Sequence, residues 1–346
     1  MKKLAFLLPN LESKGGVTVV VLNLAKEFEK QGYEVHLFSI GKTTQKDSRY
    51  IHIINSNKKS VQLKFFKKKF QLENEIKEFD LVIANNLRTH YLLSKINIKN
   101  DLYVFHQGRL LQNVNLYVKL RRKIMYSQIY KNKRLIAVSK CLMLGMKKNF
   151  YYLKYKKFDY IYNGFDKNLI LQKSNELKVE DNYIVGIGRL EKNKNFEYLI
   201  KSFSKITNKK IKLYLVGDGE DKYFLKDLVE KLNIANRVKF IGWVDNPYPY
   251  IKNAKLLVHP SKIEAMPTVL IESLILHTPV VATDIKCGPN EILIDKLSQF
   301  LVPLNDMKKL TELIDKALKN YPTIEEKYIN KFLISNVIKK YKEYIK

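Results

Sequence analysis

The feature that most constrains this chain is an alternation that runs its course and then starts again. In the first half, the short apolar runs LAFLLP, YEVHLFSI, FDLVIANN, DLYVFHQG, RLIAVSK and DYIYNGFD read as strands separated by helical patterns. The first of those helices is GGVTVVVLNLAKEFEKQG, stopped by Gly32. From residue 182 the pattern restarts with NYIVGIGRL, KLYLVGDGE, RVKFIGWV, AKLLVHPS and PVVATD. Strands alternating with helices build parallel sheets. The expected fold is therefore α/β, with two doubly wound domains over 1–165 and 166–346. The segment FDKNLILQKSNELKVED reads as the linker, and a terminal helix over about 323–346 can cross back to the first domain. A chain of 346 residues suits two domains of roughly 150 residues each.

Composition narrows the setting. No uninterrupted apolar stretch reaches the ~18 residues of a membrane span. The opening MKKLAFLLPN breaks at Pro9, too soon for an export signal, and reads as a buried strand. Cys141 and Cys287 match no metal-ligand or redox spacing, and a reducing compartment is the simple reading. The net charge of +29 is uneven, with +21 in residues 1–165 and +8 in the remainder. A basic half implies a polyanionic partner, nucleic acid or an anionic membrane surface, unless the lysines are simply solvated.

In an open α/β sheet, ligands bind beyond the carboxyl ends of the strands. Arg189 follows one strand directly and Lys194 comes five residues later in GRLEKNKN. A planar fork and a point charge there can grip a diphosphate, or they are two surface cations in a loop. In EAMPTVLIE, Glu264 precedes a helix whose first turn is expected to hold Pro267, and Glu272 lies inside it. The amides of Ala265, Met266, Pro267 and Thr268 would mark an anion site at that helix start. The two acids can accept hydrogen bonds from sugar hydroxyls, or they are a dipole-complementing acid and a solvated one. Gly15 and Gly16 allow close backbone approach but are not a G-x-G-x-x-G fingerprint. His106 ends DLYVFH as a substrate contact or a structural histidine. No Asp-x-Asp, H-E-x-x-H or G-x-S-x-G occurs.

Taken in order, GlyGly at 15–16, VSK at 138–140, YNGFD at 162–166, GRLEKNKN, LVGDGE, FIGWV and SKIEAMPTVLIESLILHTPVVATDIKCGPNEIL resemble glycosyltransferase family four over nearly the whole chain. The resemblance implies the GT-B fold, two Rossmann-like domains facing each other across a cleft, the first binding the acceptor and the second the nucleotide sugar. It implies retaining transfer of a hexose or N-acetylhexosamine, UDP-linked for preference, to a lipid-linked, lipopolysaccharide or capsule glycan. By the same resemblance Arg189 and Lys194 bind the diphosphate, Glu264 the donor sugar and Glu272 the ribose. Amides of residues 265–268 support phosphate and sugar, Gly16 lies against the donor phosphate, and His106 lines the sugar site. No metal or other cofactor is expected, because positive groups and a helix terminus can stabilise the departing diphosphate. Departures are Ala265-Met266-Pro267 after the first glutamate, Ser273 after the second, and His277 where glycine is common; they bear on donor-sugar identity more than on reaction class.

Two other readings stand beside this one: a GT-B epimerase or phosphorylase, and a basic nucleic-acid-binding protein, although no nucleic-acid motif occurs. The segments 61–72 and 116–134 interleave cations with apolar and aromatic residues, Lys64, Phe65, Phe66, Lys67, Lys68, Lys69 and Phe70 in the first. Both fit an anionic membrane surface, for an enzyme in the cytoplasm at the inner face of the membrane. The alternative is that their aromatics pack inward.

Overall fold

The structure, a computed structural model of the protein, describes residues 1–11, 15–40, 51–53, 61–179 and 182–345, without the side chains of 51–53 and 61–68. Lys64, Phe65, Phe66, Lys67 and Lys68 therefore lie outside the described side chains. The chain divides into two compact units, 1–164 with 334–346, and 165–333.

The first unit holds β1 (Lys3–Leu8), β2 (Glu34–Ser39), β3 (Ile51–Ile53), β4 (Leu81–Ala84), β5 (Asp101–Phe105), β6 (Arg134–Ala137) and β7 (Lys157–Tyr160). They form one sheet in the order β3-β2-β1-β4-β5-β6-β7, every pair parallel. Leu4 to Leu8, all of β4 and all of β5 are buried, as strands of a parallel sheet covered on both faces must be. Helices Leu87–Ser94, Leu116–Tyr130 and Lys140–Asn149 open on Asn86, Asn115 and Ser139, whose side chains accept the backbone N–H of Thr89, Val118 and Leu142. Each cap satisfies an orphan donor and fixes where the strand-to-helix turn ends.

The second unit holds β8 (Tyr183–Ile187), β9 (Lys212–Val216), β10 (Val238–Gly242), β11 (Leu256–His259), β12 (Val280–Asp284) and β13 (Leu301–Pro303). Their order, β10-β9-β8-β11-β12-β13, repeats that of the first six strands of the first unit, again all parallel. Its core gathers Ile184, Leu213, Leu215, Leu256 and Val258 of the sheet with Leu199, Phe203, Leu310 and Ile314 of the helices Phe196–Lys205 and Met307–Lys319.

Three details differ from the sequence reading. Strands β3 and β13 went unread, because three residues are too short for a pattern and both are edge strands. The supposed linker contains helix Lys167–Lys173, capped by Asp166 and tied to the second unit where Asn246 Nδ2 donates to Lys173 O at 2.8 Å. The terminal helix is broken: Glu326–Ile329 belongs to the second unit and Ile334–Lys342 to the first. The last residues anchor in the first unit, where Tyr344 donates to Asp159 Oδ2 at 2.8 Å and Arg134 Nη1 donates to Tyr344 O at 3.0 Å.

In each sheet the strand order reverses at one point, between β1 and β4 and between β8 and β11. At such a point the two following loops part and leave a crevice for ligand. Gly15, Arg189, Lys194 and Glu264 lie on these loops, Gly16 and Glu272 in the helices that follow, and His106 one strand further on, after β5.

Candidate active site

In the second unit the loop after β8 is held by backbone contacts to the loop after β9. Leu190 N donates to Asp218 O at 3.0 Å and Asp221 N to Leu190 O at 2.9 Å. Gly217, at φ +137°, is obligatory here, since a Cβ would sit 2.0 Å from Gly188 O. The loop then turns, with Lys194 N donating to Glu191 O, and enters helix Phe196–Lys205 through Asn195 at φ 56°. It is also tied to the loop after β11, where Lys262 N donates to Asn193 O at 2.8 Å.

This tie brings Lys194 onto Glu264, 70 residues away in sequence, with Nζ 2.5 Å from Oε1. His259, the last residue of β11 and 2% exposed, sets Nε2 3.2 Å from the same oxygen. The contact is close but poorly aligned, and Nε2 has no regular hydrogen-bond partner. Burial alone would push the Glu264 carboxyl up; His259 and the Lys194 ammonium outweigh it and hold the group down at about 2. Burial also lowers His259, against the pull of the Glu264 carboxylate, which raises it. Sequence reasoning missed His259; its signal was a histidine closing an apolar strand that leads into the Glu264 loop. Asn195 Nδ2 and Ser261 Oγ, on the same two loops, are buried without hydrogen-bond partners. Buried polar atoms are normally paired, so three orphans on adjoining loops mark a polar site.

Arg189 is not part of this cluster. Its side chain is 66% exposed and pairs with Glu191, Nη1 to Oε2 at 3.4 Å.

Pro267 is the N-cap of helix Thr268–Ile275 and not its first-turn residue as expected; Ala265, Met266 and Pro267 are buried and Thr268 half-buried. Gly288 packs beneath, where a Cβ would meet Pro267 Cδ at 2.5 Å. Glu272 is half-buried within the helix and its carboxyl accepts no hydrogen bond among the described residues, so it is not the solvated acid that spacing allowed. Burial raises its carboxyl to about 7. The helix closes with the N–H of His277 on Leu274 O and that of Thr278 on Ser273 O, a Schellman motif. His277 sits at φ 56° there, the left-handed position where glycine is favoured.

In the first unit, Gly15 is the N-cap of helix Gly16–Lys30 and both glycines are exposed. After β4, buried Asn85 donates from Nδ2 to Leu7 O and Ile83 O, each at 3.4 Å, which turns its Oδ1 outward to His106 Nε2 at 3.2 Å. Burial lowers His106 to about 4, so the ring is neutral and Nε2 carries the proton toward Asn85; Nδ1 is left as an acceptor. The adjacent cavity, lined by Asn85, Asn86, His90, His106 and Tyr130, measures about 20 Å³, room for a water and not for a sugar.

Residues 14–169 match Glycosyltransferase Family 4 and residues 168–332 match Glycosyl transferases group 1. An uncharacterised glycosyltransferase of Methanocaldococcus jannaschii is 31% identical over 279 residues, 73% of this chain and 68% of its own. The N-acetylgalactosamine-N,N'-diacetylbacillosaminyl-diphospho-undecaprenol 4-alpha-N-acetylgalactosaminyltransferase of Campylobacter jejuni is 27% identical over 97% of this chain and 94% of its own. The crystal structure of Anabaena HepE in complex with UDP and glucose superposes with a TM-score of 0.79 over 99% of both chains at 18% identity. With both halves matched in order and two doubly wound units in place, the chain belongs to the glycosyltransferases of family 4 with the GT-B fold.

Proposed function

We propose that this glycosyltransferase moves a hexose or N-acetylhexosamine from a UDP-sugar to a lipid-linked or lipopolysaccharide or capsule glycan, with retention and without a metal, at the inner face of the cytoplasmic membrane. The observation that carries it is the Lys194–Glu264–His259 cluster at the reversal of the second sheet. A carboxylate ionised at any working pH, beside an ammonium and on a helix approach, suits a neutral polyol attached to a diphosphate. Lys194 would share its charge between Glu264 and the donor phosphates, Arg189 would swing from Glu191 to the same phosphates, and Glu264 would hold sugar hydroxyls. Glu272 would accept from the ribose. His106 would offer Nδ1 to a hydroxyl of the sugar, with Gly15 and Gly16 letting the donor phosphate approach the backbone.

Glu264 binds through the sugar's outer hydroxyls in this reading and is not the nucleophile. Attack is on the front face, and the leaving phosphate takes the proton of the acceptor hydroxyl. The lipid-linked acceptor is favoured by the Campylobacter relative, whose name places its sugar on a diphospho-undecaprenol glycan. Incubation with UDP-hexoses, a polyprenyl-diphosphate glycan and EDTA tests all of it. An α-linked product from an α-linked donor, formed in the chelator, is expected. An inverted product, or activity restored only by magnesium or manganese, overturns the mechanism, and epimerised donor in the absence of acceptor overturns the reaction.

A further inference from the structure

Helix Leu116–Tyr130 buries Tyr126, Ile129 and Tyr130 and leaves the opposite face bare. Leu116, Tyr117, Leu120 and Ile124 are 81, 67, 56 and 57% exposed. At 3.6 residues per turn the four fall within roughly 100° of one another. Lys123 borders that stripe on one side and Arg121 on the other, with Lys119 further round beyond Lys123, all exposed. Large aliphatic residues are not left in a row on a surface without cost, and such a patch marks something that covers it. Tyr151, 81% exposed, extends the patch, since its ring abuts Tyr152 and Tyr152 lies under Lys123 Nζ.

The charge around the stripe says what that cover is. Between Asp101 and Asp159 the chain runs 57 residues with 14 lysines and arginines and no aspartate or glutamate. Helices Leu116–Tyr130 and Lys140–Asn149 both come from this acid-free stretch. A nucleic acid would use the cations but has no place for Leu116, Leu120 and Ile124. An anionic bilayer uses both: headgroups for the cations, the upper acyl region for the aliphatic stripe. Fifteen residues are too few to cross a membrane, and among the described residues no helix is long and apolar enough to do so.

We propose that helix Leu116–Tyr130 lies flat on an anionic phospholipid surface, Leu116, Tyr117, Leu120 and Ile124 inserted and Lys119, Arg121 and Lys123 on the headgroups. The sequence alone left two basic segments equivalent and allowed the aromatics of both to pack inward; here Tyr126 and Tyr130 go in and the aliphatic stripe stays out. The inference deepens the proposed function, resting on it only in that a lipid-linked acceptor gives docking its purpose.

The test is co-sedimentation of the whole chain with vesicles of phosphatidylcholine, alone and mixed with phosphatidylglycerol, at low and near-physiological salt, with no donor or acceptor present. Wild type is expected on the mixed vesicles and scarcely on phosphatidylcholine alone. Each cation at an anionic surface is worth about five-fold, so Lys119→Gln/Arg121→Gln/Lys123→Gln should bind roughly 100-fold more weakly. Leu116→Ser/Leu120→Ser/Ile124→Ser should lose roughly ten-fold and leave the remaining binding wholly salt-sensitive. Both sets are surface changes, and unaltered melting with unaltered turnover of a short soluble acceptor should accompany them. Wild type that ignores anionic vesicles at low salt, or variants that sediment like wild type, overturns the docking. So does binding to RNA or DNA at near-physiological salt that falls steeply with added salt and that the cation variant abolishes. Loss of all turnover with docking intact would instead fault the proposed function alone.

Discussion

Where strand order reverses in the second sheet, Lys194 and Glu264 stand ion-paired on two loops that a backbone hydrogen bond ties together, with buried His259 against the same carboxylate. At the equivalent place in the first sheet stand Gly15, Gly16 and Asn85 and, one strand on, a His106 that burial keeps neutral. One topology thus presents two chemistries among the described residues: a charged, preorganised edge, and one of glycine, amide and neutral imidazole. In the proposed function the first grips the diphosphate with cations, and the second offers glycine backbone to the phosphate and His106 to the sugar. Ionised groups in a polar setting assembled before the ligand arrives cost nothing further at the moment of reaction.

The comparison breaks most easily at Glu264. Glu264→Gln keeps the shape and removes the charge that pairs Lys194. It is expected to lower kcat by about 10²–10³ while the protein remains folded, as loss of a preorganised polar contact does. Steady-state kinetics beside a melting curve separate the two effects, and turnover within a few-fold of wild type would remove Glu264 from the site.

Glu264 and Glu272 should also respond to pH with opposite sign. Glu264, held near 2 against an ordinary 4.5, contributes stability that is fully present above 4.5 and is lost as pH falls toward 2. Glu272, raised to about 7, binds a proton in the folded chain that the unfolded chain has released, so stability falls as pH rises from about 4.5 to 7. Melting temperatures across pH should show both slopes. Glu272→Gln should flatten the upper one, and an unchanged upper slope in that variant would mean that Glu272 is not the group responsible.

On the neutral side, His106→Ala is expected to lower turnover by roughly ten-fold, the loss of one hydrogen bond of about 1.5 kcal/mol, and to leave UDP affinity as in wild type. An equal loss of UDP affinity would erase the distinction between the two edges. The smallest effect concerns the helix behind the charged edge. His277→Gly, at φ 56°, should stabilise the protein by about 0.5–1 kcal/mol, readable in denaturant melts, because glycine takes that conformation without a Cβ penalty. A destabilised variant would mean that the imidazole makes a contact worth more than the strain.

What the sequence could and could not convey follows from range. Fully buried strands such as LAFLL and LVIA announce themselves as apolar runs, and their alternation with helices carries the double winding. The three-residue strands β3 and β13 have no such run. Arg189, Lys194, Glu264 and Glu272 were legible as polar residues following strands or flanking a helix start. Which of them meet was not, because the Lys194–Glu264 pair spans 70 residues and depends on the Lys262–Asn193 backbone tie. The sequence grouped Arg189 with Lys194, whereas Arg189 turns to Glu191, two residues along. His259 was hidden because it ends a strand whose other residues are all apolar.

In the proposed function the charged edge of the second unit binds the nucleoside diphosphate through protein cations. Calorimetric titration of UDP in EDTA, on wild type, Lys194→Ala and His106→Ala, addresses it directly. A charge-assisted hydrogen bond of about 1.5–3 kcal/mol predicts affinity some 10- to 100-fold weaker in Lys194→Ala and unchanged in His106→Ala. No binding by wild type in EDTA, or equal affinity in wild type and Lys194→Ala, would contradict it.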